Sequence, residues 1–191
     1  MEYHFRYSLT TDDFAEYSAY TSWYAPWQKK VRIKFIVNVA LISLVFMPAG
    51  IIVSRYIRNA KHHNNEGLGI IVLVALIFLL LFAYYQEPFR IKNKVRKFLD
   101  KDENSNILTE RNLEINDKEI VFTDDTERSF RKWDSITRNA VTKEYFYLYT
   151  NSVQGYIIPK RLFSSQREID EFDKFLTEKI PLASSFRSMG I

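Results

Sequence analysis

Three histidines, 23 carboxylates and no cysteine bound the chemistry this 191-residue chain can carry. His62 and His63 stand side by side, with Glu66 three positions on, a set that invites a divalent metal. Neighbours on a short loop do not converge on one ion without two further ligands, and none stands at a suitable spacing. Asp124 and Asp125 offer a carboxylate pair for acid–base work. They fall between two strand-like runs, where short acids make turns by bonding their own backbone. His4 is the only other histidine, so a histidine base has few candidates, and Ser, His and Asp fall in no triad or elbow pattern. Five glycines leave no GxxxxGK[ST] or GxGxxG loop for a phosphate. Lacking cysteine, the chain has no disulfide, no CxxC redox pair and no thiolate metal ligand. The expectation is a protein that is not an enzyme, with no catalytic, cofactor-binding or metal residue. What remains are binding groups. Lys160 and Arg161 sit at a strand-to-helix corner, facing solvent, an anionic headgroup or an acidic partner. Tyr145, Tyr147 and Tyr149 share one face of a strand.

The elements that position these residues are segregated along the chain. Leu68 to Tyr85 (LGIIVLVALIFLLLFAYY) has no charge and is the cleaner run; Phe35 to Ser54 (FIVNVALISLVFMPAGIIVS) carries Asn38, Pro48 and Gly50 and is the weaker one. Each is long enough to cross a bilayer as a helix. Pro48 and Gly50 predict a kink in the first span, and Asn38 a hydrogen bond to another helix. Four basic residues precede the first span (Lys29, Lys30, Arg32, Lys34) and six follow the second (Arg90, Lys92, Lys94, Arg96, Lys97, Lys101). Three (Arg55, Arg58, Lys61) lie in the connection. That asymmetry predicts both termini in the cytoplasm. Trp23, Trp27, Tyr84 and Tyr85 fall where aromatic rings settle at the headgroup level, and Lys92, Arg96 and Lys97 follow on the same side.

The net charge of +4 divides unevenly: residues 1–101 carry +7 and residues 102–191 carry −3. The only segment large enough to read nucleic acid is therefore acidic, which argues against that partner.

The flanks have clear periods. Tyr3, Phe5, Tyr7 and Leu9 alternate with polar residues as in a strand, Thr10 or Thr11 then caps a helix, and Tyr17, Tyr20, Tyr24 and Trp27 form its aromatic face. Two readings of that face are open: it lies on the membrane, or it packs on the C-terminal domain. Pro88 to Leu99 predicts a new, basic amphipathic helix beginning at Pro88. After a polar linker at 100–106 the period becomes twofold. Strands are expected around Leu113–Ile115, Ile120–Thr123, Ser129–Ile136, Tyr145–Tyr149 and Gly155–Ile158. A closing helix carries Ile169, Phe172, Leu176 and Ile180 on one face, with Ser165 and Glu168 at capping-box spacing.

RSFRKWDSI, the run EYFYLYTNSVQGYIIPKRLFSS and the amphipathic helix after it resemble the YcxB-like family of small bacterial membrane proteins, most specifically at Trp133, YFYLY and Ile157 to Phe163. The opening YSLTTDDFAEYSAYTSW and the two apolar runs are similar to the family's front half. The resemblance implies a two-span protein with a cytoplasmic domain like bacterial pleckstrin-homology domains, and implies no activity.

The expected fold is α+β, a two-helix transmembrane hairpin plus a small antiparallel β domain with a C-terminal helix. Its parts are a strand and aromatic juxtamembrane helix (1–32), the hairpin (33–86, spans about 35–54 and 68–85), a basic juxtamembrane helix (87–101), the YcxB-like β domain (107–181) and a disordered tail (182–191). The expected role is a multi-pass protein of the bacterial inner membrane whose domain meets a protein partner or lipid, with the bilayer as its other partner and a homo-oligomer compatible with it. The alternatives are a membrane enzyme with unrecognised acid–base residues, a channel built from hairpins, and a toxin-immunity type protein.

Overall fold

The computed structural model describes residues 2–59, 68–101, 104, 107–180 and 185–187. His62, His63 and Glu66 lie outside these. The elements in chain order are β1 (Glu2–Ser8), α1 (Thr11–Ala19), α2 (Lys29–Asn59), α3 (Leu68–Leu99), β2 (Glu110–Asn116), β3 (Glu119–Thr123), β4 (Arg128–Lys132), β5 (Arg138–Val141), β6 (Tyr145–Tyr149), β7 (Gly155–Pro159), α4 (Gln166–Lys179) and β8 (Ser185–Arg187). They form two compact units, one made of Met1–Ser22 with Ile91–Ile191, the other of Trp23–Arg90.

The first unit is α+β. β1 to β4 make an antiparallel sheet in sequence order, and a second sheet runs β7-β6-β5-β8. Alternation in β1 puts Tyr3 opposite Ile115 and Phe5 opposite Leu113 of β2, with Ile120 and Phe122 of β3 continuing the same face. Phe146, Leu148 and Ile158 do likewise on the second sheet, all fully buried. Helix α4 joins the two faces: the Phe172 ring meets Tyr3 at 4.8 Å, Phe146 at 5.1 Å and Phe5 at 5.9 Å, edge-on in each case. Each such ring contributes about 1.5–3 kcal/mol through burial, and edge contacts add to that.

Local chemistry sets the turns. The Asn116 side chain accepts the N–H groups of Lys118 (2.8 Å) and Glu119 (3.0 Å), closing the β2–β3 hairpin. Asp124 accepts from the N–H of Thr126 and Glu127 and from the Thr126 hydroxyl, so this carboxylate shapes the β3–β4 turn. The Ser165 hydroxyl caps α4 by accepting the Glu168 N–H at 3.3 Å. The Glu168 carboxylate reaches back to the Ser164 N–H, one residue beyond the N-cap amide that a reciprocal box would use.

Several expectations are corrected. The segment 1–32 is not a separate piece: β1 is an edge strand of the domain sheet and α1 lies in the same unit. The strand expected over Ser129–Ile136 stops at Lys132, and Trp133–Ser135 is a 3₁₀ turn whose Trp133 indole donates to the Asn116 carbonyl at 2.9 Å. The short β5 was not expected. The tail expected to be disordered contributes β8, which pairs in parallel with the open edge of β5. No helix begins at Pro88, because α3 runs through it from Leu68 to Leu99. An interior proline loses one backbone hydrogen bond, a cost that Pro88, itself buried, bears within 32 residues of continuous helix.

In the second unit, α2 is one helix of 31 residues containing both Asn38 and the Pro48–Gly50 step. Among the described residues one stretch, Val74–Leu99, is long and apolar enough to cross a membrane by length and composition. Trp23 is 3% exposed, packed edge-on to Phe35 at 5.2 Å and tilted against Tyr84 at 5.1 Å. Its indole is therefore enclosed by protein, not free to sit among headgroups.

Candidate functional site

The tyrosine strand and the Lys160/Arg161 corner do come together, around a residue whose role as a first-turn acid hid its importance. Asp13 stands at the third position of α1, where its carboxylate accepts the Thr10 N–H at 2.7 Å while the Thr10 hydroxyl accepts the Asp13 N–H at 3.1 Å. This reciprocal cap fixes the carboxylate against the second sheet. Arg161 donates both arms of its guanidinium to it, at 2.6 Å each, and the Tyr145 hydroxyl donates at 2.9 Å. The Asp13 side chain is 2% exposed and that of Arg161 49%. Burial alone would raise the Asp13 pKa, but the bonds from Arg161, Thr10 and Tyr145 outweigh it and hold the carboxyl at about 2.

The rest of the tyrosine face is covered. Tyr17 of α1 packs on Tyr147 at 5.3 Å and stacks on Tyr149 at 5.7 Å, and its hydroxyl donates to the Val153 carbonyl at 2.8 Å. Tyr20 meets Tyr147 at 5.3 Å, and the Tyr149 hydroxyl bonds that of Thr21 at 2.8 Å. Tyr147 and Tyr149 are thus buried, and burial pushes both phenols upward in pKa. They are core residues beneath α1, not a docking surface; Tyr145 is half-buried. Of the two open readings of the aromatic helix face, packing on the domain is the one observed for Tyr17 and Tyr20.

The remaining named residues are engaged as follows. Lys160 holds its ammonium 4.9 Å from the Phe146 ring. Lys92 pairs with Glu16, and Arg96 bonds Asp12 at 2.9 Å and Asn93 at 3.2 Å, so two of the basic residues expected to meet lipid are bound to acids of α1. Lys97 and Tyr85 are exposed, while Trp27 and Tyr84 are half-buried. His4 bonds Glu2 at 3.2 Å and lines a shallow concavity of about 320 Å³ with Arg6, Asn112, Glu114 and Arg128. Among the described residues no three His, Asp or Glu side chains stand close enough to share a metal ion.

Two small sheets locked by a C-terminal helix, with a polar cluster that holds α1 in place, make up this α+β unit. Residues 115–176, from the end of β2 through most of α4, match the family model described as YcxB-like protein. The match leaves out β1 and α1, which the structure adds to the same unit. No curated protein and no solved structure matches the chain.

Proposed function

We propose that this is a noncatalytic protein of the bacterial inner membrane, in which α2 and α3 form a transmembrane hairpin holding a pleckstrin-homology-like domain at the cytoplasmic face for a protein partner. The observation that carries the reading is the apolar surface α3 leaves open. Val74, Ile77, Phe78, Leu79, Leu81 and Phe82 are each about half exposed or more. A continuous stripe of that kind is far costlier in water than in lipid. Four strands in sequence order, then three more, then a helix across the core support the pleckstrin-homology-like assignment of the domain. With Tyr147 and Tyr149 withdrawn into the core, the partner surface moves to exposed groups, of which Phe98 near the end of α3, Phe130 on β4 and Val153 in the β6–β7 loop are the large apolar ones among the described residues of the domain.

The absence of cysteine makes the test direct. Single cysteines at Ser129 in the domain and at Asn64 between α2 and α3 are probed in intact bacterial spheroplasts with a membrane-impermeant maleimide. The reading expects labelling at 64 and protection at 129 until the cells are lysed. Equal labelling at both, or recovery of the unmodified chain in the supernatant after carbonate extraction, contradicts it.

A further inference from the structure

A cleft of about 180 Å³ opens in the domain between β7 and the inner face of the first sheet. β7 ends the order of the second sheet, so one of its edges has no strand beside it. The ladder to β6 runs from Thr150 N–H on the Gln154 carbonyl to Lys160 N–H on the Glu144 carbonyl, a phase that turns the backbone groups of Gly155 and Ile157 outward. The Ile157 carbonyl is taken by the Tyr7 hydroxyl at 2.6 Å, which leaves two amide donors and one acceptor, the Gly155 carbonyl, on this edge. Gly155 holds this edge close: a Cβ there would lie 2.5 Å from the Leu148 carbonyl oxygen.

Facing that edge are Arg111 of β2 and Ser129 and Arg131 of β4, the last two on one face by strand alternation. Arg111 lies with its guanidinium 5.6 Å from the Phe122 ring centroid and donates one arm to the Ile107 carbonyl. Its Nε is buried and has no hydrogen-bond partner among the described residues. Arg131 and the Ser129 hydroxyl make no side-chain bond among the described residues. Glu127 is the one acid in the lining, so cations exceed carboxylates there by one. Two guanidinium groups, a hydroxyl and two backbone amides make a donor-rich wall. A carboxylate has two oxygens to offer such a wall; a phosphate monoester has three and the greater charge.

We propose that this cleft binds a phosphate monoester, with the tetrahedral oxyanion held between Arg111 and Arg131 and its organic portion against Phe122 and Tyr156. The inference does not depend on the membrane reading above. Its test is isothermal titration of the full chain in a neutral detergent with sn-glycerol 3-phosphate. Saturable binding is expected, weakened at least ten-fold by Arg131→Ala and by Arg111→Lys, and unchanged by Arg167→Ala on α4. Arg131→Ala removes an exposed side chain that has no partner among the described residues and so leaves the fold intact. The same titration in nanodiscs containing either phosphatidylserine or phosphatidic acid at matched surface charge distinguishes the sources. Competition by phosphatidic acid assigns the site to a lipid headgroup, and its absence assigns it to a soluble phosphate; both support the site. No saturable binding, equal binding of glutarate, or binding indifferent to Arg131→Ala overturns the proposal.

Discussion

Asp13 is the side chain on which the N-terminal helix turns. It closes the cap of α1, receives both arms of Arg161 and takes the Tyr145 hydroxyl, all while buried. Breaking a buried ion pair by removing one partner leaves the other without compensation, a loss softened here because Arg161 is half exposed and can rehydrate. Asp13→Ala should therefore cost about 3 kcal/mol, measured by denaturant unfolding followed by tyrosine fluorescence. The folded carboxyl is depressed to about 2 from 3.8. Its contribution, roughly 2 kcal/mol, is whole above about pH 4 and is lost as pH falls toward 2; Asp13→Asn should flatten that part of the pH–stability curve. Asn139 on β5 shows the opposite economy. It is fully buried, and among the described residues neither its amide oxygen nor its nitrogen has a hydrogen-bond partner. Replacement by the nearly isosteric Leu should stabilise the domain by about 1–2 kcal/mol, read as a raised Tm. Neither residue announced itself: an acid in a first helical turn and an asparagine before a short apolar run are ordinary in any chain.

The elements differ in how plainly their sequences declare them. β1 was readable from Tyr3, Phe5, Tyr7 and Leu9, and α4 from Ile169, Phe172 and Leu176, because period alone marks a half-buried strand or helix. β5 was not, since RNAV is four residues long with a polar residue in its buried run. The YFYLY strand was legible as a strand but not as to which face is inside. A tyrosine ring suits a core as well as a surface once its hydroxyl has a partner, and here Asp13 and Thr21 supply partners for Tyr145 and Tyr149. Pro88 misled in the other direction, because a proline marks a helix start only where neighbouring turns do not carry the helix through it. Gly155 is the element-scale position most open to test. A methyl group there meets the Leu148 carbonyl, so Gly155→Ala must push β7 away from β6. The expected loss is about 1–3 kcal/mol, with faster hydrogen exchange at the β6 and β7 amides and little change in the first sheet.

At the scale of the whole molecule, strands β1 and β2 are neighbours in one sheet although Ser8 and Glu110 are separated by both apolar helices. The helices are thus an insertion into the first hairpin of the domain, not an anchor in front of it. No local pattern reveals this, since pairing across a hundred residues is a property of the assembled sheet. The same assembly buries the tyrosine face: of the two readings open for the aromatic face of α1, only packing on the domain covers Tyr147 and Tyr149, and residue spacing does not choose between them. The proposed membrane attachment takes its geometry from the same fact, because the chain leaves the domain after α1 and re-enters it within α3.

That insertion is tested most directly by a disulfide across the β1–β2 pair. His4 and Glu114 are register partners on the outer face of the sheet, and the native chain has no cysteine to interfere. The variant His4→Cys/Glu114→Cys is oxidised and then cleaved by protease between α2 and α3. It should run as one species without reductant and as two fragments with it. The control His4→Cys/Arg128→Cys places the thiols on opposite edges of the sheet, roughly 14 Å apart, and should stay uncrosslinked. Separation of the His4/Glu114 fragments without reductant, or equal crosslinking of both pairs, would contradict a domain built from the two ends of the chain.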